Sequence, residues 1–143
     1  MKSKFKQSAI FLFILLFVYA AASKLMTFQL FRGQLYNQDF PHLMADFLLY
    51  ALPTLELITV GLLCIPRTQR LGLLVSLLLM SAFTGYITLV MLHFWNRVPC
   101  SCGGILSHMG WGAHLVFNCV FLLMALVSIL IPDHPREKLT STR

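Results

Sequence analysis

Four long apolar runs, joined by short polar connections, constrain this chain more than any other feature. A helix needs about 20 apolar residues to cross a hydrocarbon core about 30 Å thick. The runs fall at about residues 8–28, 45–65, 71–92 and 111–131 of the 143. In lipid each backbone N–H and C=O must be satisfied within the protein, so single apolar segments of this length are helices. The chain is 58% hydrophobic and only 11% charged, where soluble domains are roughly a quarter charged. Little is left from which to build a soluble core. The expected fold is all-α: a polytopic membrane protein with one domain over residues 1–143, a four-transmembrane-helix bundle.

A formal charge of +6 raises nucleic acid as a partner, but the basic residues stand at the ends of apolar runs rather than on one polar face. They read as topology signals, with membrane lipid as the surroundings and no nucleic acid partner. Lys2, Lys4, Lys6, Arg67, Arg70, Arg136, Lys138 and Arg143 fall on one side of a four-span topology, and only Lys24, Arg32 and Arg97 on the other. The positive-inside rule then predicts an inner-membrane protein with both termini cytoplasmic. The connection between the last two spans faces outward, into the oxidising compartment where disulfides persist.

The basic N-terminus, the apolar run from Ser8 to Ala22 and the small residues Ala20, Ala21, Ala22 and Ser23 have the layout of a secretory signal peptide. A retained first span is preferred, because apolar residues resume past Lys24 with Leu25, Met26, Phe28 and Leu30. Residues 31–44 read as a connection, with Arg32, Gly33, Asn37, Asp39 and Pro41 breaking any helical pattern. Pro53 should kink the second span. The short Pro66–Arg70 loop makes the second and third spans antiparallel neighbours. In the third, Ser81, Thr84, Gly85 and Thr88 form a small polar stripe, read as a surface for close helix packing in preference to a ligand site.

Reactive groups are few, so the sequence Pro99, Cys100, Ser101, Cys102, Gly103, Gly104 stands out. Three readings of Cys100 and Cys102 compete. As a reversible disulfide they close a very small, strained ring that an attacking thiolate opens easily. A metal site needs two more ligands, for which His93 and His108 are the local candidates. A structural staple is the weakest reading, because stabilisation grows with the length of loop closed. Cys64 and Cys119 read instead as small buried apolar side chains.

Glu56 falls near the middle of the second span, where a carboxyl is costly and marks function or pairing. Lys24 is the candidate partner, but it stands about 27 Å along the first span from Lys6, which makes a direct pair marginal. Trp111, His114 and Asn118, at i, i+3 and i+7, share one face of the fourth span below the cysteine loop. They suit either an interhelical hydrogen-bond set or a site for a quinone headgroup or proton relay.

Several stretches together resemble the MauE branch of the DoxX-like membrane proteins. These are Ser23-Lys24-Leu25, the run Leu52 to Leu57 with Pro53 and Glu56, Phe83-Thr84-Gly85-Tyr86-Ile87, the Cys-x-Cys-Gly-Gly loop, and Trp111 with His114 to Asn118. The resemblance implies a four-helix membrane protein of methylamine utilisation that helps form or maintain disulfides in an exported subunit of methylamine dehydrogenase. It also implies an architecture similar to the vitamin K epoxide reductase and disulfide-forming quinone enzymes, with Cys100 and Cys102 as the redox pair. The chain departs from those quinone enzymes in having Cys-x-Cys rather than Cys-x-x-Cys, and no evident second outward cysteine pair.

The leading functional expectation is thus a membrane thiol-disulfide redox protein whose partner is a thioredoxin-like protein or an exported disulfide-containing client. Its rivals are a non-catalytic membrane maturation or scaffold factor and a Cys/His metal-handling loop. Thiol trapping separates the first two, and metal analysis of purified protein separates the third.

Overall fold

The computed structural model describes residues 2–37, 41–92 and 110–132, the side chains of Lys2, Ser3 and Trp111 excepted. The described residues form five α-helices and no strand: α1 (Lys2–Met26), α2 (Phe28–Tyr36), α3 (His42–Cys64), α4 (Gln69–Met91) and α5 (Trp111–Leu130). All but α2 are long and apolar enough to cross a membrane. No more than 33% of any of these spans' most apolar windows is buried inside the bundle. Leu43, Phe47, Leu78, Val116 and Leu130, for example, face outward. Such a surface suits lipid, and the chain is a polytopic membrane protein built as an all-helical bundle.

Around the bundle α1 packs on α3, α3 on α4 and α4 on α5, with α5 closing back against α1. The turn from α3 to α4 is held by Thr68, whose hydroxyl donates to the Leu62 carbonyl at 2.8 Å. There the two helices approach closely. A Cβ on Gly72 would stand 2.9 Å from Leu63 Cδ2 and 3.0 Å from the Leu63 backbone nitrogen, so glycine is what lets α4 approach α3. Beyond this point Ile10, Phe13, Phe17, Leu63, Leu73, Met80 and Ala125 make an apolar core. Phe13 and Phe121 meet edge to face at 5.3 Å. The buried hydroxyls of Thr59, Ser76 and Ser128 each donate to the carbonyl four residues back, at 2.7 to 2.8 Å, so they fill interfaces without leaving a polar atom unmet.

Three expectations are corrected. Residues 31–44 are not simply a connection, because α2 occupies Phe28–Tyr36. Arg32 and Gly33 are exposed, and helix formation is decided by Phe28, Phe31 and Leu35 at i, i+3 and i+7. That stripe packs on Ala45, Leu49 and Leu52 of α3 as a second core. Only Thr27 interrupts α1 and α2, its hydroxyl donating to Ser23 O at 2.7 Å. The far end of α2 is fastened by Tyr36, whose hydroxyl donates to the Asp46 carboxylate and whose ring lies 5.3 Å below the Arg32 guanidinium.

The stripe on α4 is the second correction. Ser81, Gly85 and Thr88 are exposed and Thr84 is half-buried, so among the described residues the stripe is not the closely packed face. Thr84 and Thr88 donate to Met80 O and Thr84 O at 2.6 and 2.8 Å. Close packing is provided by Gly72 and Ser76, one turn apart, instead. The third concerns Cys64 and Cys119, which are exposed rather than buried. Each follows a residue that takes the inward position, Leu63 and Asn118, and a rotation of about 100° per residue turns the next side chain away. Pro53 lies inside α3, which is assigned as one uninterrupted helix.

Candidate functional site

Between the two apolar cores along α3 lies Glu56, on the same buried face as Leu49, Pro53 and Leu63. Its carboxylate Oε1 accepts from the Lys24 ammonium at 2.7 Å, with the two side chains 1% and 6% exposed. This direct pair replaces the marginal one expected from helix heights. In an α-helix each Cα–Cβ bond tilts toward the N-terminus. Helices α1 and α3 run in opposite directions, so Lys24 leans down toward Glu56 while Glu56 leans up toward Lys24. The lysine stem reaches back one turn, and its ammonium also donates to Ala20 O at 3.3 Å.

Phe31 of α2 covers the ammonium from the other side, its ring centroid 5.9 Å from Lys24 Nζ. Sequence reasoning missed this residue because α2 itself was missed. The signal was the apolar spacing of Phe28, Phe31 and Leu35, outweighed by the polar residues between them.

From α5 come His114 and Asn118, 9% and 4% exposed. With Lys24 and Glu56 they line one cavity of about 40 Å³, whose other walls among the described residues are Leu16, Phe17, Ala20, Met80, Phe83 and Phe117. Four of the sequence's candidates, read there as two unrelated sets, thus meet in one place. Trp111 opens α5, but its side chain lies outside the described residues. So do Cys100, Cys102, His93 and His108, in the segment between Leu92, which follows α4, and Gly110, which precedes α5. Among the described residues no three His, Cys, Asp or Glu side chains gather as a metal site would require.

The other oxygen of the pair decides what the arrangement can do. Glu56 Oε2 is buried and has no hydrogen-bond donor among the described residues. A carboxylate oxygen in that state forfeits the hydration it would have in water. One half of Glu56 is therefore fixed by charge and the other is left to accept a proton or a donor. About 40 Å³ admits water, which needs roughly 10–15 Å³ of such space per molecule.

No curated protein sequence and no solved structure is similar to this chain at a significant level. The family model described as "Methylamine utilisation protein MauE" matches residues 2–131. That match takes in every described helix, the Lys24–Glu56 pair, His114 and Asn118, and the segment carrying Cys100 and Cys102. An all-helical membrane bundle whose sequence fits that model over nearly its whole length belongs to the MauE family.

Proposed function

We propose that the protein is an integral membrane thiol-disulfide redox protein of the MauE type. Its Cys100 and Cys102 form or maintain disulfides in an exported protein, directly or through a thioredoxin-like partner. Methylamine utilisation is the setting that the family's description suggests, and kinship with the DoxX-like four-helix proteins is part of the same reading. The observation that carries it is the distribution of thiols. Of the 4 cysteines, Cys64 and Cys119 face outward from the bundle, and none lies in the described interior. The remaining two sit one residue apart between α4 and α5, within the family match.

The exchange balances without further groups. A client thiolate attacks one sulfur of the Cys100–Cys102 disulfide, and the S–S bond breaks as a mixed disulfide forms. The client's second thiolate then displaces that sulfur, leaving an oxidised client and a reduced pair. The reverse sequence reduces a client. A quinone suits the recovery of the oxidised pair by its chemistry, since it takes up the two electrons and two protons that a dithiol gives. The basic-residue asymmetry supports an inner-membrane location with cytoplasmic termini and the pair on the periplasmic face.

The test is to replace Cys100 and Cys102 by serine separately and look, without reductant, for a covalent adduct that reductant removes. One of the two variants should accumulate a mixed disulfide with another protein, and the double variant should not. No adduct from either, with client maturation intact in the double variant, would leave a scaffold role in its place.

A further inference from the structure

We propose that the cavity bounded by Lys24, Glu56, His114 and Asn118 is a hydrated proton-exchange site, in which bound water donates to Glu56 Oε2 and links it to His114. This goes beyond the thiol reading and is argued without it, since none of the described residues lining the cavity is a cysteine. Three features converge. Glu56 is 1% exposed, and its Oε2 lacks a donor among the described residues. The adjoining space of about 40 Å³ suits about one to three waters at the volume each requires. A bound water also needs two to four polar partners, and Glu56, His114 and Asn118 supply them while the remaining walls are largely apolar.

The charge arrangement gives the site its direction. Among the described residues the polar groups are Lys24 from α1, Glu56 itself from α3, and His114 with Asn118 from α5, while α4 contributes the apolar Met80 and Phe83. Lys24 holds Oε1 at 2.7 Å, so Oε2 is the oxygen left to receive a proton. In the exchange an imidazolium N–H of His114 passes its proton to the water, and the water passes one of its own to Oε2. Imidazolium and carboxylate become imidazole and carboxylic acid, and the total charge is unchanged. Asn118 carries no proton and serves as a positioning residue, orienting the water through its side-chain amide.

The experiment uses the full chain in lipid nanodiscs, with hydroxyl radicals generated in place by X-rays and side-chain oxidation read by mass spectrometry. Bound water makes radicals locally, so buried Met80 should be oxidised, as should the half-buried Phe83 and Phe117 on their cavity side. Asn118→Leu, which removes the amide and adds apolar bulk at the cavity wall, should lower oxidation at those same residues at least about fivefold and leave the loops unchanged. Infrared difference spectra in acidic buffer supply the proton readout. One carboxylic-acid C=O band among those of the 5 acidic residues should vanish in Glu56→Gln, and its shift on transfer to deuterated buffer should be slowed at least about tenfold by Asn118→Leu. Background oxidation at Met80, Phe83 and Phe117 in the wild type would overturn the proposal. So would deuterium exchange at Glu56 that Asn118→Leu leaves unchanged. Asn118→Val, which removes the amide with less added bulk, gives the same comparison if the leucine variant does not assemble. Neither readout depends on Cys100 or Cys102, so the Cys100→Ser/Cys102→Ser protein must give the same result.

Discussion

The Lys24–Glu56 pair permits a quantitative test of what holds this bundle together. Glu56→Leu would leave an ammonium 6% exposed, facing Ala20 O and the Phe31 ring among the described residues, while Lys24→Met would leave a carboxyl 1% exposed without its cation. Stranding one partner of a buried ion pair costs about 3–5 kcal/mol, whereas replacing both by apolar groups of similar size is often neutral. The expected pattern is two destabilised single variants and a double variant, Lys24→Met with Glu56→Leu, within about 1 kcal/mol of wild type. The coupling is then about 5 kcal/mol or more, over a thousandfold in the unfolding equilibrium at about 1.4 kcal/mol per tenfold. Interhelical hydrogen bonds measured in membranes by the same cycle average only about 0.6 kcal/mol, and that sets the contrast. Steric trapping in bicelles measures all four proteins reversibly. A coupling at or below the hydrogen-bond average would refute the reasoning, showing that Lys24 finds an equivalent partner at the membrane surface once Glu56 is gone.

Two further outcomes follow from the packing and the charge pattern. Gly72→Ala should cost about 1–3 kcal/mol, because its Cβ meets the Leu63 backbone as well as its side chain, while Gly85→Ala, open to within 4 Å, should be neutral or gain up to about 1 kcal/mol of helix propensity; equal effects in the same unfolding assay would contradict the close approach of α3 and α4. An impermeant thiol reagent applied to intact cells after reduction should label Cys100 or Cys102, and labelling that appears only once the inner membrane is broken would reverse the topology.

The sequence was most readable where one physical term dominated. Hydropathy placed the four spans to within a few residues at most ends, because a lipid-crossing helix leaves little choice of conformation. The main exception is the N-terminal end of α1, which begins at Lys2, ahead of the apolar run itself. The inward face of α5 followed from the spacing of His114 and Asn118, since polar side chains in a membrane helix turn toward the bundle. What escaped depended on direction rather than composition. Lys24 and Glu56 were compared by backbone height, and the opposed lean of side chains on antiparallel helices closes that gap. The α4 stripe of Ser81, Gly85 and Thr88 had the composition of a packing face, yet Gly72 and Ser76, nearer the turn, make the close approach. Which of two small-residue faces turns inward is set by the other helices, and a single span does not record it. Short α2 escaped because three apolar residues among polar ones weigh little until α3 offers Ala45 and Leu49 to receive them.

The opposed lean of Lys24 and Glu56 also bears on how the bundle keeps its alignment. Contacts among Phe, Leu and Ala side chains are weakly directional, and lipid tails offer helices much the same apolar surroundings as one another. A helix held by such contacts alone can slide along its neighbour at little cost. Moving α1 by one residue relative to α3 shifts it about 1.5 Å along the axis, and turning it by the accompanying 100° carries Lys24 off the shared face altogether. The ion pair tolerates neither change. It acts as a peg through two greasy rods, fixing the height at which α1 stops and hence where α2, beyond Thr27, meets Ala45 and Leu49 of α3.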